Sequence, residues 1–245
     1  MFTLARTSLL FAVTVSLLVG LDSAQADIQD DFFRAVQSGK LKQATDHMRP
    51  ELLREIDEPV FQAWMNAINE RLGAVQTIKH TGLELKQTEN GPMRSTTATV
   101  TFEKGTASSS LTTVDGKLIA FNITSEELGD DWFQGPTSTD LYQQLGRTFI
   151  ERFMRGETDD AYAMCHAALQ EVIDRESFQQ MIDIVRNEDG ALKTVNFKDS
   201  RMEISEEGQD LLLNYEIVSE KGTGTCEIKV QFVGMKGHLL GFEFE

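Results

Sequence analysis

The chain is poor in cysteine and tryptophan, with two of each, and poor in proline and histidine, with four of each. Two cysteines rule out a disulfide-dense scaffold. There is no CxxC, no HExxH and no Cys/His cluster, so no zinc site is indicated. His47 and His166 have no neighbours at metal-ligand spacing, and His238 adjoins a turn. GxSxG and a phosphate-cradling glycine loop are also missing. KGTGT at 221–225 has two glycines, but it falls between strand patterns rather than before a helix and reads as a hairpin. No cofactor is implied. Basic residues are scarce, 23 against 39 acidic ones, for a net charge of −16. That balance argues against nucleic acid or anionic lipid as a partner, since both need a cationic surface. Beyond residue 21 no apolar run is long enough to span a bilayer.

The one long apolar run lies at the start. Arg6 precedes it, the run covers Ser8 to Leu21, and Ala24-Gln25-Ala26 follows. This order reads as a secretory signal peptide over residues 1–26, cut after Ala26. The rival reading is an uncleaved anchor, for which the run is short. No cysteine adjoins the cut, which argues against a lipid anchor. Removing 26 of 245 residues leaves 219, expected to be secreted or periplasmic and not membrane-spanning.

The tetrapeptide EKGT occurs at Glu103–Thr106 and again at Glu220–Thr223, 117 positions later. At that offset Phe32 meets Phe149, Gly39 meets Gly156, Ile56-Asp57 meets Ile173-Asp174, and Gly73-Ala74 meets Gly190-Ala191. Between Phe32 and Thr106 there are 17 identities in 75 ungapped pairs. After EKGT the offset grows to 121, where Gly116 and Phe121 match Gly237 and Phe242. A four-residue insertion in a hairpin accounts for the change. A period this long means a duplicated domain rather than a solenoid. The division is residues 27–124 for the first repeat, 125–138 for a linker and 139–245 for the second.

Both copies read alike. A helical stripe (Ile28, Phe32, Phe33, Val36; then Leu141, Leu145, Phe149, Ile150, Phe153) closes at Gly39 or Gly156. A short helix follows, carrying Ala44 and Met48, or Ala161 and Cys165, and another covers Pro50 to Glu55. Asp57 and Asp174 are placed to cap the next helix, whose buried stripe is Phe61, Trp64, Met65, Ile68 and Leu72, or Phe178, Met181, Ile182 and Val185. Gly73 and Gly190 end it. The period then switches to two over 75–85, 94–102, 106–114 and 117–124, and over 192–204, 210–218, 223–233 and 238–244. EKGT falls between strands, with Gly105 and Gly222 expected at positive φ; VDGK and MKGH mark the next turn. The expected class is α+β: two tandem cones, each of three helices packed on a curved four-stranded antiparallel sheet.

The order of elements, with Phe, then Gly-x-x-x-x-Ala, then a Phe-x-x-Trp/Met helix ending in Gly-Ala, resembles the nuclear transport factor 2-like superfamily and its exported domains of unknown function. The resemblance covers both copies. It implies a cavity between sheet and helices, used in related folds for isomerases, dehydratases, ligand binding or assembly. It also implies that the two copies can pair as an internal pseudo-dimer. Its motifs are packing motifs and carry no chemistry.

Polar residues at inward positions are the remaining guide. The first copy has His80, Arg94 and Thr96 where the second has Phe197, Leu211 and Leu213, Ala98 opposite Tyr215, and Trp64 opposite Met181. If either repeat holds a ligand, the first is expected to, with His80, Arg94, Thr96 and Trp64 lining the site. Arg94 suits an anionic group; otherwise it snorkels to water from a strand end, and His80 is hydrogen-bonded at the sheet edge. Trp132 and Phe133, in the acidic linker SEELGDDWFQGPTS, either dock on a domain or plug a pocket mouth as a lid. Cys165 and Cys226 fall at apolar-phase positions, as a disulfide or as two buried thiols. Asn122-Ile-Thr124 matches a glycosylation sequon but sits in a strand pattern. The leading expectation is a non-catalytic exported binding or interaction module for a small molecule or protein. The alternatives are a small-molecule isomerase or hydrolase, and a purely structural envelope protein.

Overall fold

The computed structural model describes residues 23–205 and 208–245. Most of the expected signal peptide lies outside these residues, and the expected cut after Ala26 falls within the first helix. The first repeat runs α1 (Ser23–Gln37), α2 (Leu41–Thr45), α3 (Pro50–Leu53), α4 (Glu58–Arg71), β1 (Val75–Thr88), β2 (Gly91–Phe102), β3 (Thr106–Val114) and β4 (Lys117–Thr124). The second runs α5 (Asp140–Arg155), α6 (Thr158–Tyr162), α7 (Ala167–Val172), α8 (Arg175–Asp189), β5 (Leu192–Ser205), β6 (Gly208–Ser219), β7 (Thr223–Val233) and β8 (Lys236–Phe244). Each repeat thus has four helical segments, two long and two short, rather than three. No described helix is long and apolar enough to cross a membrane.

Each set of strands is a four-stranded antiparallel meander, in the order β1-β2-β3-β4 or β5-β6-β7-β8. The irregularities recur as well. Bulges at Val75/Thr77, His80/Gly82 and Thr112/Thr113 reappear at Leu192/Thr194, Phe197/Asp199 and Lys229/Val230. A bulge bends and twists its strand, so both sheets curve at the same places. The parallel bridge Met48↔Leu118 reappears as Cys165↔Leu239. Long helices cover one face of each sheet, as the apolar stripes dictate. Phe32, Phe33, Phe61, Trp64 and Ile68 pack against Val100, Phe102 and Leu111 in the first repeat. Phe149, Phe153, Phe178 and Ile182 pack against Leu213, Tyr215 and Ile228 in the second. Complete burial of such a side chain contributes about 1.5–3 kcal/mol.

The repeated EKGT braces the end of a long helix against the sheet. The Ala74 and Ala191 N–H groups donate to the Glu103 and Glu220 carboxylates, each at 3.2 Å. Lys104 and Lys221 donate to the Glu70 and Asn187 carbonyls at 2.7 and 2.5 Å. These carbonyls lie in the last turn, where a helix leaves its acceptors unpaired and favours cations. Gly73 and Gly190 take φ of +77° and +79° there. Gly105 and Gly222 are not at positive φ, contrary to expectation. Gly105 instead lets the Glu127 side chain pass where a Cβ would sit. The β3–β4 turn is Asp115-Gly116, both residues at positive φ, as a two-residue hairpin requires. Its counterpart is Gly234-Met235, so MKGH belongs mainly to β8 rather than to the turn.

The interiors diverge by matched substitution. In the second repeat Tyr215 lies under Gly146, where any Cβ would collide with its ring, and its hydroxyl donates to the Gln143 carbonyl at 2.9 Å. At the corresponding places the first repeat has Ala98 and Gln29. The buried Gln29 fills the space and donates to Ser109 Oγ at 2.6 Å.

The two halves are joined by the inserted residues. Phe232–Gly237 stand where the first repeat has only Asp115-Gly116, lengthening the last hairpin by two rungs, Phe232↔Gly237 and Val233↔Lys236. The longer hairpin reaches the α3–α4 corner. Ile56 bridges Met235, and the Asp57 N–H donates to the Met235 carbonyl at 2.8 Å. Asp57 does not cap α4 with its side chain, whereas Asp174 does cap α8, accepting from the Ser177 N–H at 2.7 Å. Asp57 Oδ2 instead accepts from the Gly237 N–H at 2.8 Å and the Tyr142 hydroxyl at 3.0 Å. Lys236 adds a bond to the Arg54 carbonyl. Val60 of α4 is buried in the second repeat's core.

Asp57→Ala and Asp174→Ala therefore differ, although they alter the same repeat position. Losing the cap is expected to cost about 1 kcal/mol. Removing Asp57 strands two donors and is expected to cost about 2 kcal/mol or more. Urea denaturation of the two variants measures the difference, and equal losses would contradict the clamp.

Candidate functional site

Of the four residues proposed from the sequence, three stand apart from the fourth. His80 lies opposite Ala98, Thr96 opposite Leu83 and Leu111, and Arg94 opposite Leu85 and Thr113. Thr96 and Arg94 therefore step outward from Ala98 along one face of the β1–β2 arm, about 7 Å per step. Burial falls along that path: Ala98 is buried, Thr96 half-buried and Arg94 exposed, beside Leu85 at 64% exposure. The Thr96 hydroxyl donates to the Leu111 carbonyl at 3.4 Å. The second repeat covers its own arm with the linker, where Gly135 packs on Met202 and Gln209 donates to the Phe133 carbonyl at 2.7 Å.

Trp64 is buried, stacked on Phe61 with centroids 5.4 Å apart and tilted against Phe121 at 5.3 Å. It lines a cavity of about 350 Å³ at the junction of the repeats. β4 supplies Phe121 and Ile123, the linker Leu128 and Trp132, and the long hairpin Met235. Asn122, Ser125 and Asp130 add polar groups. Its size falls in the range of small-molecule sites, and its lining is mixed, polar about as much as apolar.

Arg71, in the last turn of α4, holds the linker wall. It donates to the Leu128 carbonyl at 2.5 Å, to Asp131 Oδ1 at 2.6 Å and to the Asp131 carbonyl at 3.1 Å. The guanidinium holds the Asp131 carboxyl below its usual range. Thr137 donates to the Pro59 carbonyl at 3.1 Å through both its N–H and its hydroxyl. Phe133 is buried in the second core, packed on Phe232 at 4.9 Å, and Trp132 touches both cores. Both aromatics are thus docked, and Trp132 is also a cavity wall.

On the far side of the clamp, His166 and His238 face each other with ring centroids 4.6 Å apart. Sequence spacing concealed this pair. His166 Nδ1 accepts from the Ala168 N–H at 3.3 Å, capping α7. Burial first, then the neighbouring His166 and Lys236, lowers the His238 pKa, while Asp57 and Glu55 oppose the shift. Burial raises the Tyr142 hydroxyl, with Asp57 adding to the effect, so it remains a donor. No group of three or more metal-ligating side chains occurs among the described residues. Both cysteines are free and buried; burial pushes the Cys165 thiol up to about 12.

No family model matches the chain, and no curated protein matches it. Among solved structures it is similar to an Ntf2 like protein involved in plasmid conjugation, at 11% identity and a TM-score of 0.23, over 90% of this chain and 95% of that one. At that score the likeness carries no functional weight. The α+β class rests on the paired meanders and their helices.

The sequence missed the Asp57–Tyr142–Gly237 node and the walls supplied by Trp132 and Met235. Two signals pointed there: the four-residue insertion and aromatic residues in an acidic linker. Because the folded pKa of His238 lies below its unfolded value, the fold favours the neutral ring. Stability is therefore present above the unfolded pKa, about 6.5, and is lost as pH falls toward the lowered folded value. Urea midpoints at pH 7.5 and 5.5 are expected to fall on acidification, and less in His238→Gln. An identical fall in that variant would remove His238 as the cause.

Proposed function

We propose that this chain is an exported, non-catalytic binding module that holds a small aromatic or apolar molecule at the junction of its repeats. The observation behind this is that its two tryptophans, one from α4 and one from the linker, line the same cavity. The half-buried Trp132 offers a ring to a planar ligand, since stacked or edge-on rings gain beyond simple burial, while Trp64 is already packed on Phe61 and Phe121. The sequence pattern of a leader over residues 1–26 supports export, to a secreted or periplasmic location. The nuclear transport factor 2-like resemblance, in its exported branch, agrees with a binding role. The alternative is a small-molecule isomerase or hydrolase that uses the cavity of the first repeat; of the pocket candidates only Trp64 lines the junction cavity, and His80, Arg94 and Thr96 do not. One observation favours a purely structural role: both repeats fill their interiors with aromatic side chains.

Indole N–H signals in amide-correlation spectra separate the two readings. Trp64→Phe and Trp132→Phe assign the signals. Naphthol is expected to shift both saturably in the intact protein, and Trp132→Ala to abolish the effect. If neither naphthol nor a molecule co-purifying from the host moves either signal, the structural reading replaces this one.

A further inference from the structure

We infer a second binding site, in the cleft between α5, α8 and the start of β5, for an amphipathic carboxylate. The cleft is an open groove of about 560 Å³ in the second repeat, away from the junction cavity. Duplication supplies an internal control, because the first repeat has the same cleft sewn shut. There the Gln37 side chain donates to the Gly73 carbonyl at 3.0 Å, and Asn69 donates to the Val36 carbonyl at 3.1 Å. At the offset of 117 these two residues become Met154 and Arg186. Both stitches are lost and both replacements line the opening.

The replacements also define what the opening accepts. Met154 and Val195 are 2% and 5% exposed, and Leu192 is half-buried beside them, giving an apolar floor. Arg186 and Lys193 are exposed on the rim and stand in no ion pair among the described residues. The two rim carboxylates are already engaged. Glu151 pairs with Arg155 at 3.4 Å, and Asp183 accepts from Gln179 at 3.0 Å. Arg186 extends over Gly156, a position that a Cβ would obstruct. Arg155 is paired with Glu151, and Arg186 and Lys193 outnumber the one remaining lining carboxylate, Asp183, so the cleft carries a small positive excess in a protein of net charge −16. A guanidinium binds a carboxylate through paired hydrogen bonds, and the volume lies in the range for small ligands. The complementary chemistry is an anionic head on an apolar body, such as a medium-chain fatty acid. This inference does not depend on the junction cavity holding a ligand.

The test titrates octanoate and octanol into the intact protein by calorimetry. Saturable octanoate binding, with octanol weaker, is expected. Arg186→Gln is expected to weaken octanoate about tenfold, the worth of one charged hydrogen bond, and to leave octanol unchanged. Lys193→Gln, on the opposite rim, should act in the same direction. The double variant M154Q/R186N restores the first repeat's stitches and should abolish binding while the chain stays folded by circular dichroism. Should that variant unfold, the two rim variants decide alone. Absence of saturable octanoate binding, or binding that neither rim variant weakens, would overturn the site. A response at the tryptophan signals instead would assign the ligand to the junction cavity and equally overturn this inference.

Discussion

One carboxylate holds the two repeats in register. Asp57 Oδ2 takes a backbone N–H from the last hairpin and a hydroxyl from α5 at the same oxygen. A half-buried carboxylate tolerates desolvation only when its lone pairs are engaged, and charge-assisted bonds of this kind are among the stronger ones. Around that anchor lie the Met235 bridge, the docked linker aromatics and the junction cavity. The cavity exists because the hairpin tip, the linker and α4 are held at fixed separation.

Duplication followed by small compensations explains the rest. A capping aspartate was redirected from its own helix to a neighbouring domain, while its twin still caps. Gly146 with Tyr215 and Gln29 with Ala98 fill equivalent volumes by opposite means, as close-packed interiors require. Clefts of common descent are sewn in one copy and open in the other. Each difference involves one or two side chains on an unchanged backbone, and for that reason matching bulges survive where identities do not.

Much of this architecture was legible in the sequence. The 117-residue offset, the apolar stripes and the switch to period two located both helical layers and all eight strands, because burial on one face enforces those periods. The site was less legible. Inward phase is a property of a strand, but burial depends on how far the covering helix extends. Thr96 and Arg94 have the right phase, but burial falls off along their strand beyond Ala98. Gly105 and Gly222 do lie in hairpin turns, without the positive φ expected of them, and their tetrapeptides also supply the glutamate and lysine that brace a helix end. Asp57 could not be distinguished from Asp174, since what separates them is a partner 180 residues away.

The lengthened final hairpin has a consequence for the order of assembly. The first repeat can collapse as soon as its four strands are made, but the corner at Ile56 and Asp57 has no partner until Met235 and Gly237 arrive. Those residues lie about 180 positions further along the chain. In a chain growing from its N-terminus, the Asp57 clamp cannot close and the junction cavity lacks its Met235 wall until the β7–β8 hairpin forms.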